Sequence, residues 1–221
     1  MREEVSDKMK AVVEINKLSK SFGKEKVLRD ISHSFEEGRI HGIIGFNGSG
    51  KTVLFKCICG FLKPDSGYVK VHGHRIGKEM DFPKSLGMII ENPGFLPHLS
   101  GYANLKRLAD LQRLIGKAEV MEAIARVGLD PLSKKKVGQY SLGMRERLGI
   151  AQAIMENPEL LILDEPFNGL DKRGVAEVCR LFEELREQGK TILLAAHNMP
   201  EFEGLCDTVC EMDAGVLTQV K

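Results

Sequence analysis

Short apolar runs rich in valine and isoleucine, several of them ended by glycine, alternate along the chain with segments whose apolar residues recur every three or four positions. Runs of the first kind suit strands buried on both faces, and segments of the second kind suit amphipathic helices. The alternation therefore predicts an α/β fold in which helices cover a mostly parallel sheet. Strands are expected at 12–18, 28–35, 39–44, 68–71, 86–90, 160–163, 191–195, 208–212 and 216–219. The early runs alternate polar and apolar residues and carry turn signals such as PDSG at 64–67, which predicts an antiparallel β flank beside the parallel core. Between residues 101 and 154 the strand signal disappears, and Leu105, Leu108, Leu111 and Leu114, then Val120, Ile124 and Val127, then Leu148, Ala151 and Met155 recur at helical spacing. The expected organisation is one domain over 1–221, a sheet lobe of about 11–98 and 157–221 with an α-helical lobe of about 99–156 inserted in it. Val175, Val178, Phe182 and Leu185 mark a further amphipathic helix, with Gly189 as its stop.

Composition narrows the partners rather than the fold. The 32 basic and 31 acidic residues nearly cancel, so there is no general electrostatic case for nucleic acid, which is not expected as a partner, or for an anionic membrane. Five cysteines, an odd number without a CxxC pair, suit reduced thiols in a cytosolic protein better than a disulfide framework or a metal site. No apolar run reaches the length of a bilayer span, and the opening MREEVSDKMKA lacks a signal-peptide core, so a cytoplasmic chain is expected.

The chemistry is concentrated in two motifs. GFNGSGKT at 45–52 fits the phosphate-binding pattern G-x-x-x-x-G-K-[ST], follows the apolar run IHGII and leads through Val53 into a helix-like segment, which predicts a P-loop NTPase. Gly45, Phe46, Asn47, Gly48, Ser49 and Gly50 form the loop whose backbone N–H groups turn inward on phosphate oxygens, aided by the partial positive charge of the helix start. Lys51 is expected on the β- and γ-phosphates and the Thr52 hydroxyl on Mg²⁺. In LLILDEP at 160–166, an apolar strand ending in Asp164 brings a carboxylate to the carboxyl edge of the sheet, to hold Mg²⁺ directly or through water. Glu165 follows as the candidate general base for a water attacking the γ-phosphate of ATP.

The spacing of these motifs, the helical stretch between them and YSLGM at 140–144 just ahead of the second resemble the ATP-binding cassette family over residues 12–220. The resemblance implies an ATP-hydrolysing motor subunit in which two cassettes, a homodimer or a mixed pair, close head to tail on two ATP molecules. It also implies separate membrane-spanning transporter subunits and a place on the inner face of the cell membrane. By the same resemblance Phe22 stacks on adenine, Asn168, Gly169, Leu170 and Asp171 form a loop that communicates across the dimer, and His197 contacts the γ-phosphate. The family segment that normally reads LSGGQ is here Tyr140, Ser141, Leu142, Gly143 and Met144, and its serine and glycine complete the site of the opposite subunit. Leu142 and Met144 depart from that pattern. So does Glu91, which stands where a glutamine usually touches Mg²⁺ and begins the loop that senses the membrane partner, near 91–99. Glu91 combined with SLGM resembles the cassettes of bacterial exporters that remove lantibiotic or bacitracin-like peptides, so export is the expected direction. A soluble cassette that remodels a cytosolic assembly carries the same motifs and stays open from the residues alone.

Overall fold

In a computed structural model of the chain, residues 10–91, 93–196 and 204–221 are described. Among the described residues ten strands form two sheets. β1 (Ala11–Phe22), β2 (Glu25–Glu36), β4 (Ser66–Val71) and β5 (His74–Arg75) make an antiparallel sheet in the order β2-β1-β4-β5. β3 (Ile40–Ile44), β6 (Leu86–Ile89), β7 (Leu160–Asp164), β8 (Thr191–Ala196), β9 (Thr208–Asp213) and β10 (Val216–Gln219) make the second sheet, in the order β10-β9-β3-β8-β7-β6. Every pair in the second sheet is parallel except β9 with β10. The expected antiparallel flank beside a mostly parallel core is thus what the chain forms.

Side-chain alternation on β7 divides the core. Leu161 and Leu163 point into a cluster with Val175, Val178 and Phe182 of α5 (Lys172–Glu187), whereas Leu160 and Ile162 point the other way, into a cluster with Leu54, Phe55 and Ile58 of α1 (Lys51–Ile58). Strands buried on both faces read as continuous apolar runs, which is why IHGII, LLILD and TILLAA were legible. Helix α5 ends at Glu187, and Gly189 follows with φ of 82°, the left-handed turn that an L-residue resists.

Between β6 and β7 the described residues form α2 (Gly101–Gln112), α3 (Lys117–Arg126) and α4 (Leu142–Ile154), with strand-like pairing limited to a bridge between Ser100 and Lys136. The α4 helix approaches the sheet closely at Gly87, where a Cβ would stand 1.9 Å from the Ala153 carbonyl oxygen. Two expectations need correction. The leucine spacing overran its helix: α2 turns at Arg113, with φ of 59°, and Leu111 and Leu114 are exposed while Leu105 and Ala109 face the core. The strand β5 is too short to leave a hydrophobic period and was missed, and β1 and β2 run longer than their apolar residues suggest because their paired ends are polar.

Candidate functional site

Strand register gathers the site at one edge. Ile44 of β3 pairs with Ala196 of β8, and Asp164 of β7 with Ala195, so three central strands end side by side. In a parallel sheet this carboxyl edge is where helix starts and loops converge on a ligand. From β3 the chain enters the loop 45–50 and then α1. Gly45 has no room for a side chain, since a Cβ would lie 2.3 Å from the Met212 carbonyl oxygen, and Gly48 holds φ of 81° in open space. Gly50 precedes α1 at φ of 114° and gives it no side-chain cap, whereas Ser100, Ser141 and Asp171 each cap the helix they precede. The first amides of α1 therefore lack a protein acceptor of the usual kind and, with the helix dipole, suit an anion. Phe46, Asn47 and Gly48 are exposed, and Val53 lies one residue into the helix beyond Thr52, partly buried.

The charged groups are coupled. Buried Lys51 folds back on the loop, its Nζ donating to the Gly45 and Phe46 carbonyls at 2.7 and 3.2 Å, and it lies 3.9 Å from Glu165 Oε1. Thr52 Oγ1 donates to Asp164 Oδ2 at 2.6 Å. Among the described residues Asp164 Oδ1 is buried without a hydrogen-bond partner, and so is Ser49 Oγ. Burial raises the Asp164 pKa, helped by the Glu165 and Glu91 charges and opposed by the Thr52 hydrogen bond and Lys51. An orphaned carboxylate oxygen beside a hydroxyl is a hard-oxygen pair, and it suits Mg²⁺. Glu165 itself takes φ of 54°, donates its N–H to Ala195 O at 2.8 Å and accepts at Oε2 from Asn168 Nδ2 at 3.2 Å. Glu91 also sits in the left-handed region, at 61°. Such backbone costs ~1–3 kcal/mol per residue and is concentrated at working sites.

Ser141 lies at the start of α4. Its Oγ accepts from the Met144 N–H at 3.2 Å, which leaves the hydroxyl proton free to donate elsewhere. The bulk of Leu142 goes onto the neighbouring loop of the same chain: a Cβ on Gly169 would come within 2.5 Å of Leu142 Cγ, and one on Gly143 within 2.6 Å of the Gly169 carbonyl oxygen. Met144 is partly buried against the core, and Tyr140 is buried. Phe22, half exposed at the end of β1, has the Lys20 ammonium 5.6 Å from its ring centroid. His197 follows β8 directly but lies outside the described residues.

The structure therefore brings Lys51, Thr52, Asp164, Glu165 and Asn168 into one cluster, and sets Leu142 and Gly143, which follow Ser141, against the loop at 169–170 instead. One residue went unread in the sequence: Lys56, whose Nζ meets Glu91 Oε1 at 2.5 Å. Its position four residues after Thr52, on the same face of α1, was the available signal.

Residues 28–168 match the ABC transporter family. An ABC transporter ATP-binding protein of Bacillus subtilis (strain 168) is 40% identical over 206 residues, or 93% of this chain and 94% of that protein. A bacitracin transport ATP-binding protein of Enterococcus faecalis is 40% identical over 213 residues, covering 96% of this chain and 69% of the relative. A solved ATP-binding subunit of an ABC transporter superposes with a TM-score of 0.82 at 27% identity, covering 95% of this chain and 90% of that one. A phosphate loop alone would not extend likeness from the first sheet to the last strands; the chain belongs to the ABC transporter family, as an ATP-binding and ATP-hydrolysing motor subunit of a transporter.

Proposed function

We propose that the chain acts as a single cassette, with the 99–156 stretch as a helical lobe on the sheet lobe, and that two copies close head to tail on two ATP molecules. The observation that carries this reading is the cluster at the carboxyl edge, where an uncapped helix start meets Lys51, Thr52, Asp164 and Glu165. The loop amides from Gly45 to Gly50, with those of Lys51 and Thr52, receive the phosphates, and Lys51 exchanges its two loop carbonyls for β- and γ-phosphate oxygens. Thr52 Oγ1 and the orphaned Asp164 Oδ1, with Glu91 nearby, are the groups that would hold Mg²⁺, which neutralises phosphate charge when bound. Glu165, oriented by Asn168, takes a proton from water as its oxygen bonds to the γ-phosphorus and the bond to the β–γ bridging oxygen breaks, leaving ADP and phosphate. Ser141 and the Gly143 amide of the second copy donate to the γ-phosphate, and His197, outside the described residues, is assigned to the same phosphate by the family resemblance alone. Phe22 offers its exposed face to adenine.

Among the described residues no helix is long and apolar enough to cross a membrane. Likeness to ATP-binding proteins of ABC transporters supports separate membrane-spanning subunits, docked on the inner face of the cell membrane near residues 91–99. Likeness to a bacitracin transport protein supports export of an antimicrobial peptide as the cargo class. The test is Glu165→Gln: it binds ATP, accumulates as a dimer on size-exclusion chromatography and hydrolyses roughly 10²–10⁴-fold more slowly. Wild-type turnover in that variant removes Glu165 as the base.

A further inference from the structure

Lys56 and Glu91 form an ion pair at 2.5 Å between α1 and the chain leaving β6. Lys56 stands one helical turn beyond Thr52, on the face that carries the Thr52 hydroxyl and its Asp164 partner. The Glu91 carboxylate acts on both neighbours, since it binds the ammonium directly and its charge reaches Asp164, whose pKa is raised first by burial and also by Glu165 and Glu91. One carboxylate thus lies within the influence of a lysine on one side and of an orphaned carboxylate oxygen, Asp164 Oδ1, on the other.

Resting on the reading of Glu91 as an oxygen ligand toward Mg²⁺, we infer that Lys56 and the divalent cation compete for the same carboxylate. Lys56 is a positioning residue: it holds Glu91 until metal and nucleotide displace it, and it offsets a negative charge that a glutamine would not bring to the γ-phosphate. The exposure of the pair sets how tight that hold is. The Lys56 and Glu91 side chains are 26% and 63% exposed, and ion pairs in such surroundings are screened and weak, so a divalent cation displaces the ammonium readily.

Equilibrium binding of a fluorescent, non-hydrolysable ATP analogue to the full chain, followed as free Mg²⁺ is titrated, reads the exchange without turnover. Lys56→Met lowers the Mg²⁺ half-saturation roughly two- to five-fold, the span expected for an exposed pair, and Lys56→Arg stays near wild type. In a Glu91→Gln background the same Lys56→Met change shifts it by less than about 1.5-fold, because the competing carboxylate is gone. Equal shifts in the two backgrounds, or a raised half-saturation on Lys56→Met alone, overturn the exchange and leave the nucleotide site standing. Analogue binding indifferent to Mg²⁺ in every variant overturns both.

Discussion

At the scale of single residues, Asp164 shows a site held at a cost to stability. Its carboxylate is buried at the end of β7, with one oxygen satisfied by Thr52 and the other by nothing among the described residues. Its folded pKa is raised, first by burial, so the native state binds this proton more tightly than the unfolded chain does. The stability associated with the protonated form is fully present below the ordinary aspartate range and is lost as pH rises through the elevated native value. Asp164→Asn therefore raises the melting temperature of the ligand-free chain at pH 8, with little change at pH values below that range, while weakening Mg²⁺-dependent nucleotide binding. Thermal melts at the two pH values check this, and an Asn variant less stable at pH 8 contradicts it. The same residue was easy to read in the sequence because an apolar run ending in Asp-Glu-Pro is a local signal. The Lys56–Glu91 contact was not, because its partners are 35 positions apart and meet only once the chain leaving β6 has come to rest by α1.

At the scale of elements, α4 joins two roles in its first turn. Ser141 caps it, and Leu142 covers Gly169 in the loop that supplies Asn168 to Glu165. Loss of the cap in Ser141→Ala costs about 1 kcal/mol of stability. That lowers the melting temperature by about 2–4 °C for a chain of this size. If the hydroxyl also donates to a partner's γ-phosphate, hydrolysis falls by at least about tenfold, since removing a donor aimed at developing charge weighs more than removing a cap. A variant with the stability loss but full turnover limits Ser141 to its own helix. The helix was predicted from apolar spacing, yet Leu111 and Leu114 show how the same signal misleads: Leu111 sits exposed in the last turn of α2, and Leu114 lies beyond the helix, where the backbone has already turned at Arg113.

At the scale of the whole molecule, the proposed completion of the pocket by a second copy predicts that stability in the presence of ligand depends on protein concentration. A ligand at 100 times its dissociation constant stabilises the state it binds by about 2.7 kcal/mol. In the Glu165→Gln chain, Mg²⁺ and ATP therefore raise the melting temperature by ~5–10 °C. The rise grows when the protein is concentrated tenfold, as scanning calorimetry at two concentrations will register. A ligand-induced rise that ignores protein concentration means that one chain owns its entire pocket.

The amino-acid sequence by itself determined the strand-and-helix order, the parallel core and the phosphate loop. Each of these is written in neighbouring residues: buried strands need unbroken apolar runs, and a backbone that wraps a phosphate needs glycines at set intervals. Tertiary structure alone decided which charges meet. It placed Glu91 on Lys56, left Asp164 Oδ1 without a partner among the described residues and laid Leu142 on Gly169, because such contacts depend on where separate elements come to rest, and distance along the chain carries no record of that.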